Sequence, residues 1–258
     1  MRKYLPYIIT ALFFLCGCQE SKNDLLKAVI QKGEITIATE GTWAPWTFHD
    51  KDGNLTGFDI EVARAIAKKL GVQAHFIETE WSGIFDGLTS GAYDISCNGI
   101  EITSERLEKY DFSVPYGLIR TALIVRNDNH DISSIDDITG RPLSQTFGST
   151  YSMVAEKHGA VIVKCETMEE ALNLVEKGEA DAHLNADVSF YEYMKAYPQT
   201  PLKTVAIGKR ASPVAIPLRK GQKVSSLREA INKAILELEE EGVLTEISEK
   251  YFGSDITQ

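Results

Sequence analysis

Apolar residues along the chain fall into short extended runs and longer stretches at helical spacing, and the two kinds alternate. Glu34 to Thr39 reads as a strand, with β-branched residues at alternate and intervening positions. Glu40-Gly-Thr-Trp-Ala-Pro-Trp46 reads as a loop by its Gly and Pro content, and Asp50-Lys-Asp-Gly53 as a turn. From Asp59 onward, Ile60, Ala63, Ile66, Ala67 and Leu70 recur at helical spacing, with Gly71 where a helix-ending glycine belongs. Gln73 to Ile77 predicts a second strand, Ser82 to Ser90 a helix stopped by Gly91, and Tyr93 to Ser96 a third, buried strand. Short connections between these elements predict right-handed parallel crossovers and a sheet covered on both faces. Ligands of such sheets gather at the carboxyl ends of the strands. The Trp43–Trp46 loop, Trp81 and the Asn98–Arg106 segment all fall there.

A second series follows the first. Thr121 to Arg126 and Leu143 to Thr146 are extended, and Gly148-Ser149-Thr150 opens a helix through His158. Val161 to Lys164 predicts a strand, Met168 to Lys177 a helix with Gly178 as its stop, and Ala182 to Asn185 another strand. A helix from about Asp187 to Tyr197 is halted at Pro198. Val214 to Leu218 is extended. The closing helix, Val224 to Glu241, carries Leu227, Ile231, Ala234, Ile235 and Leu238 on one face, and a shorter helix ends near Tyr251. Two similar α/β halves without a long linker predict two lobes that share the chain, with a cleft between them.

Composition narrows the function more than the fold. At 258 residues the chain can hold two modest domains. A formal charge of -10 argues against nucleic acid, which needs clustered Lys and Arg. The first residues stand apart from the fold: Arg2 and Lys3 precede an apolar run, Tyr7 to Leu15, too short to span a bilayer. Leu15-Cys16-Gly17-Cys18 follows. An ordinary signal peptide or a short uncleaved anchor would carry the same pattern, and each places the body outside the cytoplasmic membrane. Cys97 and Cys165 are far apart in sequence and fit no metal spacing, so they read as small buried residues.

The chemistry concentrates around Asn98-Gly-Ile-Glu-Ile-Thr-Ser-Glu-Arg106. Regular structure breaks at Asn98-Gly99 and restarts as a helix with Thr103 as N-cap. Loose amides around Gly99 and Glu101, the helix N-terminus and the Arg106 guanidinium then lie near one spot, a donor set suited to a carboxylate. Gly148-Ser149-Thr150 before a helix is a second small anion nest, although plain N-capping explains it equally.

Further residues carry a family resemblance. Gly57-Phe58-Asp59-Ile60, Trp81, Tyr93-Asp94-Ile95, Ile102-Thr103-x-x-Arg106, Asp111-Phe112-Ser113-x-Pro115-Tyr116, and Gly242-Val-Leu followed by Glu249-Lys-Tyr-Phe-Gly253 occur in this order. The chain resembles the polar amino-acid-binding proteins that feed bacterial ABC importers. The resemblance implies a type II Venus-flytrap fold of α/β class with two hinge crossovers. Lobe one would be residues 33–118 plus 212–258, lobe two 119–211, and the hinge strands would lie near Thr121 to Val125 and Ala211 to Ala215. The cysteine-ending leader resembles a bacterial lipobox, which implies cleavage before Cys18 and a lipid on its thiol. The implied partners are a small amino acid and the importer's membrane subunits, with a monomeric protein, no cofactor and no metal.

Carried over residue by residue, Arg106 would grip an α-carboxylate, helped by the backbone of Gly99 and Glu101 beside Asn98. Ser149 and Thr150 would donate from the other lobe, and Trp43 and Trp81 would sandwich the side chain, although Trp81 alone reads equally as a core residue. Glu40 matches a position that often faces the side chain with an acid, although a solvated strand end is the plainer reading. One departure stands out. The family's second lobe places a carboxylate five residues after the Asp of an Asp-Ala pair, to hold the α-ammonium. Here Asp181-Ala182 leads to Ala186, and the acid arrives one residue later as Asp187, which could fill the role or merely cap its helix. Two other functions fit the scaffold. A dehydratase acting on a prephenate-type acid would need a general acid such as His183, Glu101 or Asp187. A ligand-sensing module would be expected to continue into a membrane or signalling segment beyond Gln258.

Overall fold

Thr36 decides how the first sheet is laid out. Its backbone N–H and its hydroxyl both donate to the Asp94 carboxylate, at 2.9 and 2.8 Å. Asp94 is therefore drawn out of the strand expected over Tyr93 to Ser96, which shortens to two residues. This arrangement belongs to a computed structural model that describes residues 24–258. The leader and Cys18 lie outside the described residues.

Helix α1 (Leu25–Lys32), capped by Asp24, precedes strand β1 (Glu34–Thr39). The expected loop then forms a small antiparallel unit, β2 (Thr42–Trp43), β3 (Thr47–His49) and β4 (Leu55–Thr56). Helix α2 (Phe58–Leu70) buries Phe58, Ile60, Val62, Ala63, Ile66 and Ala67 and ends at Gly71 in the left-handed region. Each large apolar side chain so buried contributes about 1.5–3 kcal/mol. Next come β5 (Gln73–Glu78), α3 (Trp81–Ser90) and β6 (Ile95–Ser96). The sheet order is β5-β1-β6, all parallel, as the alternating pattern predicts.

Helix α4 (Ser104–Lys109) starts at Thr103, whose hydroxyl accepts the Arg106 N–H, as expected of the N-cap. After β7 (Tyr110–Phe112) and β8 (Gly117–Ile119) the chain enters a second sheet. Its elements are β9 (Thr121–Arg126), β10 (Pro142–Thr146), α5 (Thr150–Lys157), β11 (Val161–Cys165), α6 (Met168–Glu176), β12 (Ala182–Ala186), α7 (Asp187–Ala196) and β13 (Leu202–Ile207). The order is β11-β10-β12-β9-β13, parallel at β11-β10-β12 and antiparallel at β9 and β13. Thr121 to Val125, expected as a hinge strand, is thus an interior strand of this sheet. The chain returns through β14 (Ser212–Val214), paired antiparallel with β8, and β15 (Pro217–Arg219), paired with β7. The two passages between the sheets are Arg120 and the stretch from Gly208 to Ala211. Helices α8 (Ser225–Glu240) and α9 (Val243–Phe252) then pack against α2. The result is two α/β lobes facing each other across a cleft.

Candidate functional site

The carboxyl ends of β1, β6, β10, β11 and β12 all open onto one cavity between the lobes. From the first lobe come Glu40 just after β1, Trp43 on β2, Trp81 at the start of α3, and Asn98, Gly99 and Glu101 after β6, with Arg106 on α4. From the second come Ser149 and Thr150 at the start of α5. Asp187 is the one expected residue that does not line it. Its carboxylate accepts from Arg120, at 3.2 Å from Nε and 3.3 Å from the backbone N, so it is committed at the hinge passage. Placing it at the first position of α7 turns its side chain toward that neighbour, and Ala186, without a polar group, ends the strand.

Arg106 sits almost wholly buried, 6% exposed, under the Trp81 and Phe85 rings, whose centroids lie 5.3 and 5.1 Å from its Cζ. Its Nη1 donates to the Glu101 carbonyl at 2.9 Å, and its Nη2 has no partner. Buried donors in folded proteins are nearly always paired. Among the described residues, the buried side-chain polar atoms without a partner belong to Trp43, Arg106, Gln145, Thr150 and Tyr151, and all five residues line this cavity. Trp81 therefore has a use not foreseen, since its face seats the guanidinium by cation–π attraction.

Other expected residues act through neighbours. Asn98 donates from Nδ2 to Glu40 and accepts at Oδ1 from the Glu40 N–H and the Thr39 hydroxyl, so its amide is spent on fixing Glu40. Gly99 has φ +57 and faces Trp43, where a Cβ would lie 2.4 Å from a ring carbon. Its N–H donates to the buried Asp59 carboxylate, which also accepts from the Tyr116 hydroxyl at 2.7 Å. Ser149 accepts the Ser152 N–H at 3.0 Å as the N-cap, which leaves its hydroxyl hydrogen free to donate. Trp43 stacks on Trp46 at 5.3 Å between centroids.

Burial dominates the electrostatics. It pushes the Glu40 carboxyl up to about 7, with Glu166 adding to the effect and the Asn98 amide opposing it. It pushes Asp59 up to about 7 as well, against the Tyr116 and Gly99 donors. His183 goes the other way, down to about 4, because burial disfavours its cation. Its Nδ1 meets the Ser144 carbonyl at 2.7 Å and its Nε2 the Asn185 Nδ2 at 2.9 Å, so a neutral ring with hydrogen on Nδ1 satisfies both.

Several lining residues were not singled out from the sequence. Gln145, Tyr151, Glu166, Thr167, Met168 and Asn185 line the cavity; His183, considered from the sequence only as a general acid, lines it too. Gln145 and Asn185 are on strands, and Glu166 with Thr167 fills the turn between β11 and α6. The rule that ligands gather at strand carboxyl ends pointed to these stretches. It could not say which side chains turn inward.

The model of the bacterial extracellular solute-binding proteins, family 3, matches residues 35–254. The chain belongs to this family. It is 35% identical over 263 residues to the L-cystine-binding protein TcyA of Bacillus subtilis, covering 98% of this chain and 97% of that one. An ancestral arginine-binding protein bound to arginine superposes with a TM-score of 0.80 at 36% identity, covering 86% of this chain and 99% of that one. The L-cystine solute receptor of Neisseria gonorrhoeae, in its unliganded open conformation, superposes at 0.61 with the same 36% identity, covering 90% of this chain and 99% of that one. At equal identity, the lobes here match the ligand-bound arrangement better than the open one.

Proposed function

We propose that this solute-binding protein captures a polar or cationic amino acid outside the cytoplasmic membrane and presents it to the membrane subunits of an ABC importer. We take residues 33–118 with 212–258 as lobe one and 119–211 as lobe two, closing on the ligand. The observation that carries this reading is the convergence of unpartnered buried groups of Trp43, Arg106, Gln145, Thr150 and Tyr151 on one cavity. Arg106, with Nη2 free, suits a ligand carboxylate. Three lining carboxylates, Glu40, Glu101 and Glu166, face that single guanidinium. An amino acid with an added positive charge offsets the excess, which favours a cationic side chain toward Glu40.

Binding rather than catalysis is also favoured by two of the three side chains considered as a general acid. His183 has both ring nitrogens engaged, and Asp187 is paired with Arg120. The relatives that the chain matches are named as binding proteins.

Titration calorimetry against the polar and basic amino acids tests the reading, and binding of at least one of them is expected. If that ligand has a cationic side chain, its affinity should fall as the pH drops from about 8 to about 6. The Glu40 carboxyl, held up near 7, takes a proton over this window and no longer offers a charge, at most about tenfold per pH unit. Glu40→Gln should flatten the profile. No binding of any amino acid would overturn the proposal. An unchanged affinity across the window would remove Glu40 from the side-chain end.

We also read Cys18 as the lipidated residue that holds the protein at the membrane. Among the described residues no helix is long and apolar enough to cross a bilayer. One acyl chain binds only reversibly, so stable attachment takes at least two. Cys18→Ala should move the protein from the membrane fraction to the soluble one. Retention at the membrane with an intact N-terminus would mean an uncleaved anchor instead.

A further inference from the structure

A ligand of the kind proposed above must have its α-ammonium neutralised, because a buried charge without a partner carries a penalty of several kcal/mol. The acid expected from the second lobe is displaced: Ala186 stands at the strand end, and Asp187, paired with Arg120, does not line the cavity; its charge reaches Tyr151 but is not among those acting on Arg106. The counter-charge has to come from elsewhere.

The covalent geometry of an amino acid narrows the choice. Its ammonium nitrogen lies two bonds from the carboxyl carbon, at about 2.5 Å. Whichever carboxylate meets the ammonium must therefore stand beside Arg106. Glu40 is tied to Asn98, its neighbouring acid is Glu166, and neither is among the charges that act on the guanidinium. Glu101 is different. Its own carbonyl holds Arg106 Nη1, its side chain is 4% exposed, and its charge bears directly on the guanidinium. Its backbone is pinned by a bridge to Val214 at the lobe crossing, and the flanking Ile102 N–H donates to Pro213 and the Ile100 carbonyl accepts from Ala215. A carboxylate so anchored has little freedom to lose when a ligand arrives.

Resting on the amino-acid reading, we infer that Glu101 of the first lobe is the counter-charge for the ligand's α-ammonium, replacing the acid that the second lobe lacks. Arg106 and Glu101 then read both charges of the head group from one lobe. Beside Arg106 the second lobe then needs to add only neutral dipoles, from Gln145, Asn185 and the α5 N-terminus, its lining carboxylate Glu166 acting on Glu40 instead. Burial already pushes the Glu101 carboxyl up, against the pull of the Thr150 and Ser212 hydroxyls and of Arg106, although Thr150 Oγ1 makes no full hydrogen bond to it. A bound ammonium relieves that cost.

The test is titration calorimetry on the purified full chain with L-arginine, L-cystine and L-glutamine. For each, the des-amino analogue is titrated alongside: 5-guanidinopentanoate, 3,3′-dithiodipropionate and glutaramate. If the wild type binds none of these three, the amino acid found in the wider screen and its des-amino analogue take their place; if that screen finds none, the amino-acid reading fails and this inference with it. If the wild type binds one, Glu101→Gln should weaken it by about thirtyfold or more, the scale of a lost charge-assisted contact. The same variant should bind the matching des-amino acid as well as, or better than, the wild type does. Glu101→Asp should recover part of the loss, and Asp187→Asn should stay within about threefold. A Glu101→Gln effect below about threefold would overturn the inference while leaving the amino-acid reading intact. So would a large effect from Asp187→Asn, or an equal loss for the amino acid and its des-amino analogue. Thermal melts of the unliganded variants establish that they fold. Should Glu101→Gln not fold, the same comparison of amino acid and des-amino analogue on Glu101→Asp decides.

Discussion

Arg106→Ala is expected to weaken binding of the proposed amino acid by two orders of magnitude or more in calorimetry. Among the lining residues the guanidinium is the single fixed positive charge, with Nη2 buried and unpartnered. Removing one member of a buried charge pair costs about 3–5 kcal/mol, and about 1.4 kcal/mol is a factor of ten in affinity. The substitution also strips the donor from the Glu101 carbonyl and empties the space under the Trp81 and Phe85 rings. Both effects loosen the 98–106 segment before any ligand arrives. Arg106→Lys should recover only part, because a single ammonium cannot serve the carbonyl and a carboxylate as the planar fork does. A loss smaller than about tenfold in Arg106→Ala would place the ligand carboxylate elsewhere.

Gly57→Ala should produce the largest loss of stability of any single small substitution on the site-bearing loops. Gly57 has φ +130, a region that residues with a Cβ avoid. A Cβ there would stand 2.2 Å from the Trp46 carbonyl oxygen. That close approach is needed, because the Phe58 and Asp59 amides donate to the carbonyls of Pro45 and Trp46 and so clamp the Trp43–Trp46 loop onto the start of α2. Trp46 is fully buried between Phe58 and Phe252, and its indole N–H donates to Ser189 in the second lobe at 2.9 Å. Strained backbone of this kind costs roughly 1–3 kcal/mol, and displacing a buried carbonyl adds to it. At about 2–4 °C per kcal/mol for a chain of this size, the melting temperature should drop by about 5–15 °C. A drop of under about 2 °C would mean that the loop moves aside without strain.

The architecture was legible because it rests on local chemistry. Helix α2 announces itself through Ile60, Ala63, Ile66 and Ala67 and stops at Gly71, and the parallel sheet follows from short strand–helix alternation. Edge elements were less legible. Leu202–Ile207 is a short antiparallel edge strand, bulged between Thr204 and Ala206, that follows two prolines, and Thr42–Thr56 holds strands of two or three residues. The first is as long as β1 but loses its alternation at the bulge, and the second is too short to show a period.

For the site, residue types pointed to Arg106 and the segment around Glu101 near a strand end, where a parallel sheet exposes its loops, and the family resemblance added Glu40. The order of residues after β12 also showed the usual acid displaced by one residue, to Asp187, and left open whether it still served the site. What the sequence could not decide was direction. Asp187 and Asn185 are two residues apart, yet one turns to Arg120 at the hinge and the other into the cavity. Asn98 lines the cavity as expected but also holds Glu40, and Trp81 seats the guanidinium. These outcomes depend on groups tens of residues away in the chain, which only the folded lobes bring within reach of a hydrogen bond. Local pattern therefore determined the scaffold and the kinds of charge it offers. Tertiary packing decided which of those charges meet in the cavity and which are spent on holding it together.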